Sequence, residues 1–260
     1  CTPGTGGLIP EDRKQVLTFP WNGLDALDAL FAEHADAVAA VILTPFHHPS
    51  FGRSVLPAPG FLEGVAAVCR RHGAVLILDD IRAGFRLHAG GSHRYYGFEP
   101  DIACYCKALA NGYPIAAAAG KEYLREASTR VFLTGSYWNN AEAMAACLAC
   151  LAVVEREDVP SRLDRLGRRL EEGLRRAGSD AGIAVEVTGP PAMPYLTFED
   201  DPDFYLLQRF CAYAMEAGVF FHPHHNWFLG NAHTEADIDA GIEAARRAFE
   251  RLVRAGETCP

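Results

Sequence analysis

This 260-residue chain contains no run approaching eighteen apolar residues, so nothing in it reads as a membrane-spanning helix. No short stretch gathers about five Lys and Arg, and the net charge of -9 opposes a nucleic-acid surface. Residues 1–7 have neither the basic start nor the apolar block of a secretory signal, and the expectation is a cytoplasmic protein. Internal repeats and low-complexity segments are also missing. What is present is a chain 49% hydrophobic with near-neutral mean hydropathy, enough for one large domain or two small ones.

Eight cysteines raise the question of disulfides. Cys69, Cys104, Cys106, Cys147, Cys150 and Cys211 sit inside apolar helix or strand patterns, where a free thiol behaves as a small hydrophobe, and they read as reduced core residues. Cys147 and Cys150 have the spacing of a redox or zinc pair. They fall in an Ala-rich run, residues 141–154, with no second pair at metal spacing, so no metal site is expected.

The first part of the chain alternates strands and helices. Apolar runs at 37–43, 74–78, 102–106 and 115–119 have strand length, and Phe61 to His72 has helical spacing ending at Gly73. A further helix is predicted from about Asn140 to Glu155. This is α/β layering with a mostly parallel sheet, in which sites form at the carboxyl ends of strands. From about Asp158 the pattern changes to a charged amphipathic helix (161–177), strands at 183–187 and 195–198, a helix at 203–217, a short strand at 219–221, and a helix opened by Thr234. Thr234 with Asp237 forms a candidate capping box. The predicted division is a large domain at 1–157 and a small α+β domain at 158–260.

The chemistry concentrates in two places. Lys107 lies in an apolar turn punctuated by Gly112 and Pro114, and Asp79 closes the run 74–78 at its carboxyl end. An amine in such a turn and an acid at a strand end are the two groups that pyridoxal phosphate (PLP) chemistry needs: one forms the Schiff base, the other keeps the pyridine nitrogen protonated. The plain alternatives are a surface lysine after a strand and a turn or helix-cap acid.

With Asp79-Asp80-Ile81-Arg82, Gly84-Phe85-Arg86, Pro100-Asp101, Lys107 through Pro114, Gly120, Ser136 with Asn140, and His233-Thr234 in view, the whole chain resembles the class III PLP-dependent aminotransferases of fold type I. Within them it is most similar to the glutamate-1-semialdehyde aminomutase-like branch. Lys107 stands 28 positions after Asp79, as the resemblance requires. The resemblance implies the C-terminal part of the PLP-binding domain plus the small domain. It makes Lys107 the catalytic Schiff-base lysine and proton carrier, buried so that its neutral form is favoured. Asp79 becomes the partner of the pyridine nitrogen, and Ile81 a residue packed on the ring, a role hard to tell from plain core. Ser136 takes the place of a Thr that binds the phosphate of the neighbouring subunit, its alternative being a turn serine. The implied assembly is a homodimer with shared sites.

The chain also departs from that family. The segment bringing a phosphate-binding turn and a stacking aromatic has no counterpart, and the Gly4 to Gly7 cluster is not followed by a helix that would make it a phosphate cradle. Thr44-Pro45 stands where the family has Glu-Pro, with Phe46, His47 and His48 after it. By the resemblance, Arg82 stands where relatives often have Gln or Met near the cofactor's phenolic oxygen, and it is expected to meet that oxygen, a substrate carboxylate, or form an ion pair with Asp80 or Glu99. The segment 222–230, with His222, His224 and His225, lacks the Glu of the aminomutases and reads as an active-site or domain-interface loop. The expected activity is transfer of an amino group from a small-molecule donor to a carbonyl acceptor. A 1,2-aminomutase or racemase, and a non-catalytic fragment or one half of a split enzyme, are the alternatives.

Overall fold

A computed structural model describes residues 7, 9–34, 37–48 and 52–257. Gly4, Thr5 and Gly6 of the glycine cluster, and Ser50 beyond the histidine pair, lie outside the described residues.

Strands β1 (Ala40–Leu43), β2 (Val75–Asp79), β3 (Ile102–Tyr105) and β4 (Ala117–Gly120) form one sheet in that order. The first three are parallel and β4 runs antiparallel to β3. Register places Ile42, Ile77 and Ile102 side by side, and Asp79 beside Cys104. Side chains alternate between faces along a strand, so Val41, Leu43, Leu76, Leu78 and Ala103 share one side. Helices α1 (Leu24–His34) and α2 (Phe61–His72) cover that side with Leu27, Phe31, Leu62, Val65 and Val68. Helix α2 stops at Gly73, whose φ of 70° is open to glycine without a Cβ penalty, as its sequence predicts.

On the other face Ile42 is 65% exposed and Ile77 and Ile102 are only half-buried. Among the described residues a helical layer covers one face, and the alternate side chains of the same strands point away from it.

The second core is built on helix α4 (Val159–Asp180), which presents Leu163, Leu166, Leu170, Leu174 and Ala177 along one stripe. The stripe packs on the antiparallel pair β5 (Val185–Thr188) and β6 (Tyr195–Phe198), together with α5 (Tyr205–Glu216) and α6 (Glu235–Arg254). Phe210 fills the centre, its ring 4.6 Å from that of Phe249 and 5.8 Å from that of Phe221. Thr234 and Asp237 make the predicted capping box at the start of α6. Helix α3 (Ala141–Arg156) begins at Asn140, whose side-chain oxygen accepts from the N–H groups of Glu142 and Ala143. This core extends to Phe46, Ala83 and Leu87, just past β1 and β2, so the loops leaving those strands are anchored in it.

The predicted strand at 219–221 does not form. Trp227 and Leu229 donate instead to the carbonyls of Pro194 and Ala192, at 2.8 and 3.1 Å, and take the place beside the β6 segment. Phe221 is held by its ring, 4.2 Å from Trp227, rather than by a ladder.

Gly167 in α4 touches the Pro190-Pro191 corner so closely that an added Cβ would overlap the Pro191 carbonyl. Alanine favours helices by about 1 kcal/mol over glycine, whereas forcing an atom into packed backbone costs about 1–3 kcal/mol. Gly167→Ala is expected to lower the unfolding free energy, measured by urea denaturation; a gain in stability would show that the helix and the corner separate freely.

Candidate active site

Parallel pairing brings the carboxyl ends of β1, β2 and β3 to one edge of the sheet. The segments leaving that edge are Thr44 to His48, Asp80 to Arg86, and Cys106 to Asn111.

Lys107 opens a short 3-10 turn, Lys107–Leu109, with φ of 44°, a left-handed conformation costly for a residue with a Cβ. The turn is held by the Leu109 N–H on the Cys106 carbonyl at 2.9 Å and the Asn111 N–H on the Lys107 carbonyl at 3.0 Å. The Cys150 thiol of α3 donates to the Ala108 carbonyl at 3.1 Å, so one member of the Cys147/Cys150 pair braces the lysine turn. Leu109 and Ala110 take the buried side of the turn, which leaves Lys107 exposed. The expected burial of this amine is not met among the described residues.

Two acids stand together at the end of β2, and alternation separates their tasks. Asp79 is half-buried on the open face, in register with Cys104, and one of its oxygens accepts from the Ile81 N–H at 3.2 Å. Asp80 is 1% exposed and turns inward, where it accepts the Ser92 N–H at 2.8 Å and fastens the loop before residues 92–96. Burial lifts its carboxyl to a pKa of about 6, against the pull of the Ser92 hydrogen bonds. Asp79 thus keeps partial exposure on the open face, whereas Asp80 is enclosed and hydrogen-bonded to the backbone of Ser92.

Arg82 donates to the Asn226 side-chain oxygen at 3.4 Å, which ties the end of β2 to the loop 222–230. The anticipated ion pair with Asp80 or Glu99 does not form: Asp80 is engaged by Ser92, and Glu99 pairs with Arg94 at 3.4 Å. Burial lowers the Arg82 pKa, with the Asp79 carboxylate opposing that shift. His225 lies on the same loop within electrostatic reach of Arg82 and Lys107, and its imidazolium is disfavoured mainly by burial. His48 comes from the β1 side, and it too lies within reach of Arg82, His225 and Lys107.

These residues suit a pyridine cofactor in several respects. A carboxylate with an uncommitted oxygen sits at a strand end, a lysine follows the next strand, half-buried Ile81 adjoins the acid, and two buried ring nitrogens of His48 have no partner among the described residues. Ser136 stands apart from this group, in the exposed loop 131–139. Sequence reasoning singled out Lys107, Asp79, Ile81 and Arg82, which the fold brings to one edge. It gave no role to Asn226 or to the Cys150 brace; the one signal for Asn226 was its place in a histidine-rich loop.

The fold is that of the fold type I PLP-dependent transferases, as the solved structures below show. The class-III aminotransferase family profile matches residues 14–246, and the chain belongs to that family. It is 38% identical over 253 residues to the aminopentol aminotransferase of Sphingopyxis macrogoltabida, covering 97% of this chain and 60% of that one. It is 32% identical over 256 residues to the 3-aminobutyryl-CoA aminotransferase of Cloacimonas acidaminovorans, covering 97% and 62%. Among solved structures, the PLP internal aldimine form of FumI from Sphingopyxis sp. MTA144 superposes with a TM-score of 0.94 at 37% identity, over 100% of this chain and 63% of that one. An omega-transaminase from Sphaerobacter thermophilus follows with a TM-score of 0.84 at 25% identity, over 96% and 60%. The chain thus spans 60% and 62% of the two curated relatives it matches.

The raised pKa of Asp80 has a consequence for stability. Its folded-state value of about 6 lies above the unfolded value of about 3.9, so folding binds this proton more tightly. The contribution is complete below the unfolded value and is lost as pH rises through about 6. The unfolding free energy of the wild type relative to Asp80→Asn is expected to fall across that interval, measured by denaturation at several pH values. A constant difference would contradict the assignment.

Proposed function

We propose that the protein is a PLP-dependent aminotransferase that moves an amino group from a small-molecule donor to a carbonyl acceptor. The observation that carries this reading is the meeting of Lys107 and Asp79 at adjacent parallel strand ends, in a chain of the class III family. When bound, PLP supplies an electron sink for the carbon that loses its proton.

The chain's own residues supply the rest. Lys107 would be the point of covalent attachment, and its Nζ would hold and move the proton lost by the substrate carbon. Asp79 holds the proton on the pyridine nitrogen through its uncommitted oxygen. Ile81 packs against the ring, Arg82 offers its guanidinium to the phenolic oxygen or to a substrate carboxylate, and Ser136 serves the phosphate of a neighbouring subunit. We read the assembly as a cytoplasmic homodimer with shared sites, built from a cofactor domain at 1–157 and a small domain at 158–260.

Two observations support transfer to a second substrate over an internal amino shift within the aminomutase-like branch. The loop 222–230 has no carboxylate, and the two curated relatives carry aminotransferase names. Those names, an aminopentol and a 3-aminobutyryl thioester, support amino donors whose chains bear oxygen substituents.

Borohydride reduction of the PLP-treated protein, followed by peptide mapping, tests the attachment. The chain has three lysines, Lys14, Lys107 and Lys121, and the label is expected on Lys107 alone. Lys107→Ala should abolish the label and lower transamination at least about a hundredfold. Labelling at Lys14 or Lys121, or a label that survives in the variant, would overturn the assignment.

A further inference from the structure

Cys150 touches the lysine turn from outside it, and the proton chemistry of Lys107 leaves it without a task. The turn is a strained segment. Lys107 and Asn111 are left-handed, with φ of 44° and 46°, and Gly112 follows at 108°. Glycine and asparagine visit such backbone readily, whereas a lysine stays in it only where its surroundings hold it. The turn is closed on itself by the Leu109 N–H on the Cys106 carbonyl and the Asn111 N–H on the Lys107 carbonyl. Burial of Leu109 and Ala110 presses it against the protein without fixing its orientation, because apolar contact is non-directional. The directional bond comes from helix α3, where the Cys150 thiol meets the Ala108 carbonyl at 3.1 Å.

The helix places that thiol firmly. Its start is fixed by the Asn140 cap, and Cys150 packs against the hydrophobic cluster that contains Phe46, Ala83, Leu87 and Val154. The loop after Asp79 is anchored in the same cluster through Ala83 and Leu87, so one side chain ties the turn of Lys107 to the core that holds the loop of the acid. Burial raises the Cys150 pKa, Cys147 adds to the rise and Arg86 opposes it, so the sulfur keeps its proton at neutral pH and acts as a donor. Cys147 lies one turn earlier on the helix, and among the described residues it makes no hydrogen bond to the lysine turn.

We propose that Cys150 is a positioning residue for Lys107: its thiol, bonded to the Ala108 carbonyl, holds the left-handed backbone of the lysine and thereby sets where the amine stands relative to Asp79. Its bearing on the reaction rests on the aminotransferase reading. A single S–H···O bond is weak, so its loss leaves the stability of the fold nearly unchanged. A group that moves a proton is far more sensitive, because a small misplacement lowers the rate steeply.

Three variants of the full chain separate positioning from packing: Cys150→Ala removes the donor, Cys150→Ser keeps one, and Cys147→Ala removes the neighbouring thiol. Amide hydrogen exchange at Asn111 is expected to quicken about tenfold in Cys150→Ala, to return towards the wild-type rate in Cys150→Ser, and to stay unchanged in Cys147→Ala, with the two alanine variants equally stable to urea. In protein carrying isotope-labelled lysine, the titration of the Lys107 amine should move in Cys150→Ala while those of Lys14 and Lys121 stay where they are. With PLP bound, kcat/KM should fall about tenfold in Cys150→Ala and recover in Cys150→Ser. The exchange and the lysine titration need no cofactor, so they decide the role of Cys150 even where borohydride leaves no PLP on Lys107, a result that would count against the aminotransferase reading instead. Asn111 exchange and Lys107 titration unchanged in Cys150→Ala, or altered to the same extent by Cys147→Ala, would overturn the proposal.

Discussion

The in-register parallel pairing of β1, β2 and β3 is the constraint on which the rest of this structure depends. It sends three chain segments out of the same edge of the sheet, and the strand spacing of about 4.8 Å brings Asp79 and the turn of Lys107 into one neighbourhood. A one-residue slip of β2 would exchange Asp79 with Asp80, turning the structural acid outward and the site acid into the core. The apolar alternation Leu76, Ile77, Leu78 protects against that slip, because Leu76 and Leu78 are nearly fully buried while Ile77 is not.

The second constraint is the anchoring of the loops. Phe46, Ala83 and Leu87 belong to the core formed by α4, β6 and α5, so the segments after β1 and β2 are pinned where the two hydrophobic clusters meet. Arg82 reaches across to Asn226, and the cation of Arg86 lies 4.7 Å from the Phe228 ring. The loop 222–230 is therefore positioned by the same residues that follow the site acid. On the other side, the left-handed Lys107 is held in its costly conformation by backbone bonds within its turn and by the Cys150 brace.

Much of this was legible in the sequence. The strand-end acid, the lysine turn, the Gly73 stop, the Asn140 start and the capping box of Thr234 each rest on local chemistry that a sequence carries openly: apolar periodicity, glycine at a left-handed position, an oxygen at a helix start. What was illegible depended on partners distant in the chain. No local pattern encodes whether Lys107 is covered. Residues 219–221 form no strand while Trp227 and Leu229 bond to the backbone before β6, and Arg82 bonds to Asn226 while Asp80 is engaged by Ser92 and Glu99 by Arg94.

On the proposed reading, Asp79 and Lys107 form one cofactor site, with Asp79 governing the ring nitrogen. The measurement closest to it is the nitrogen chemical shift of PLP labelled at the pyridine nitrogen, bound to the wild type and to Asp79→Ala. A protonated nitrogen is expected in the wild type and an unprotonated one in the variant, with the covalent link to Lys107 retained in both. The same shift in both proteins would contradict it.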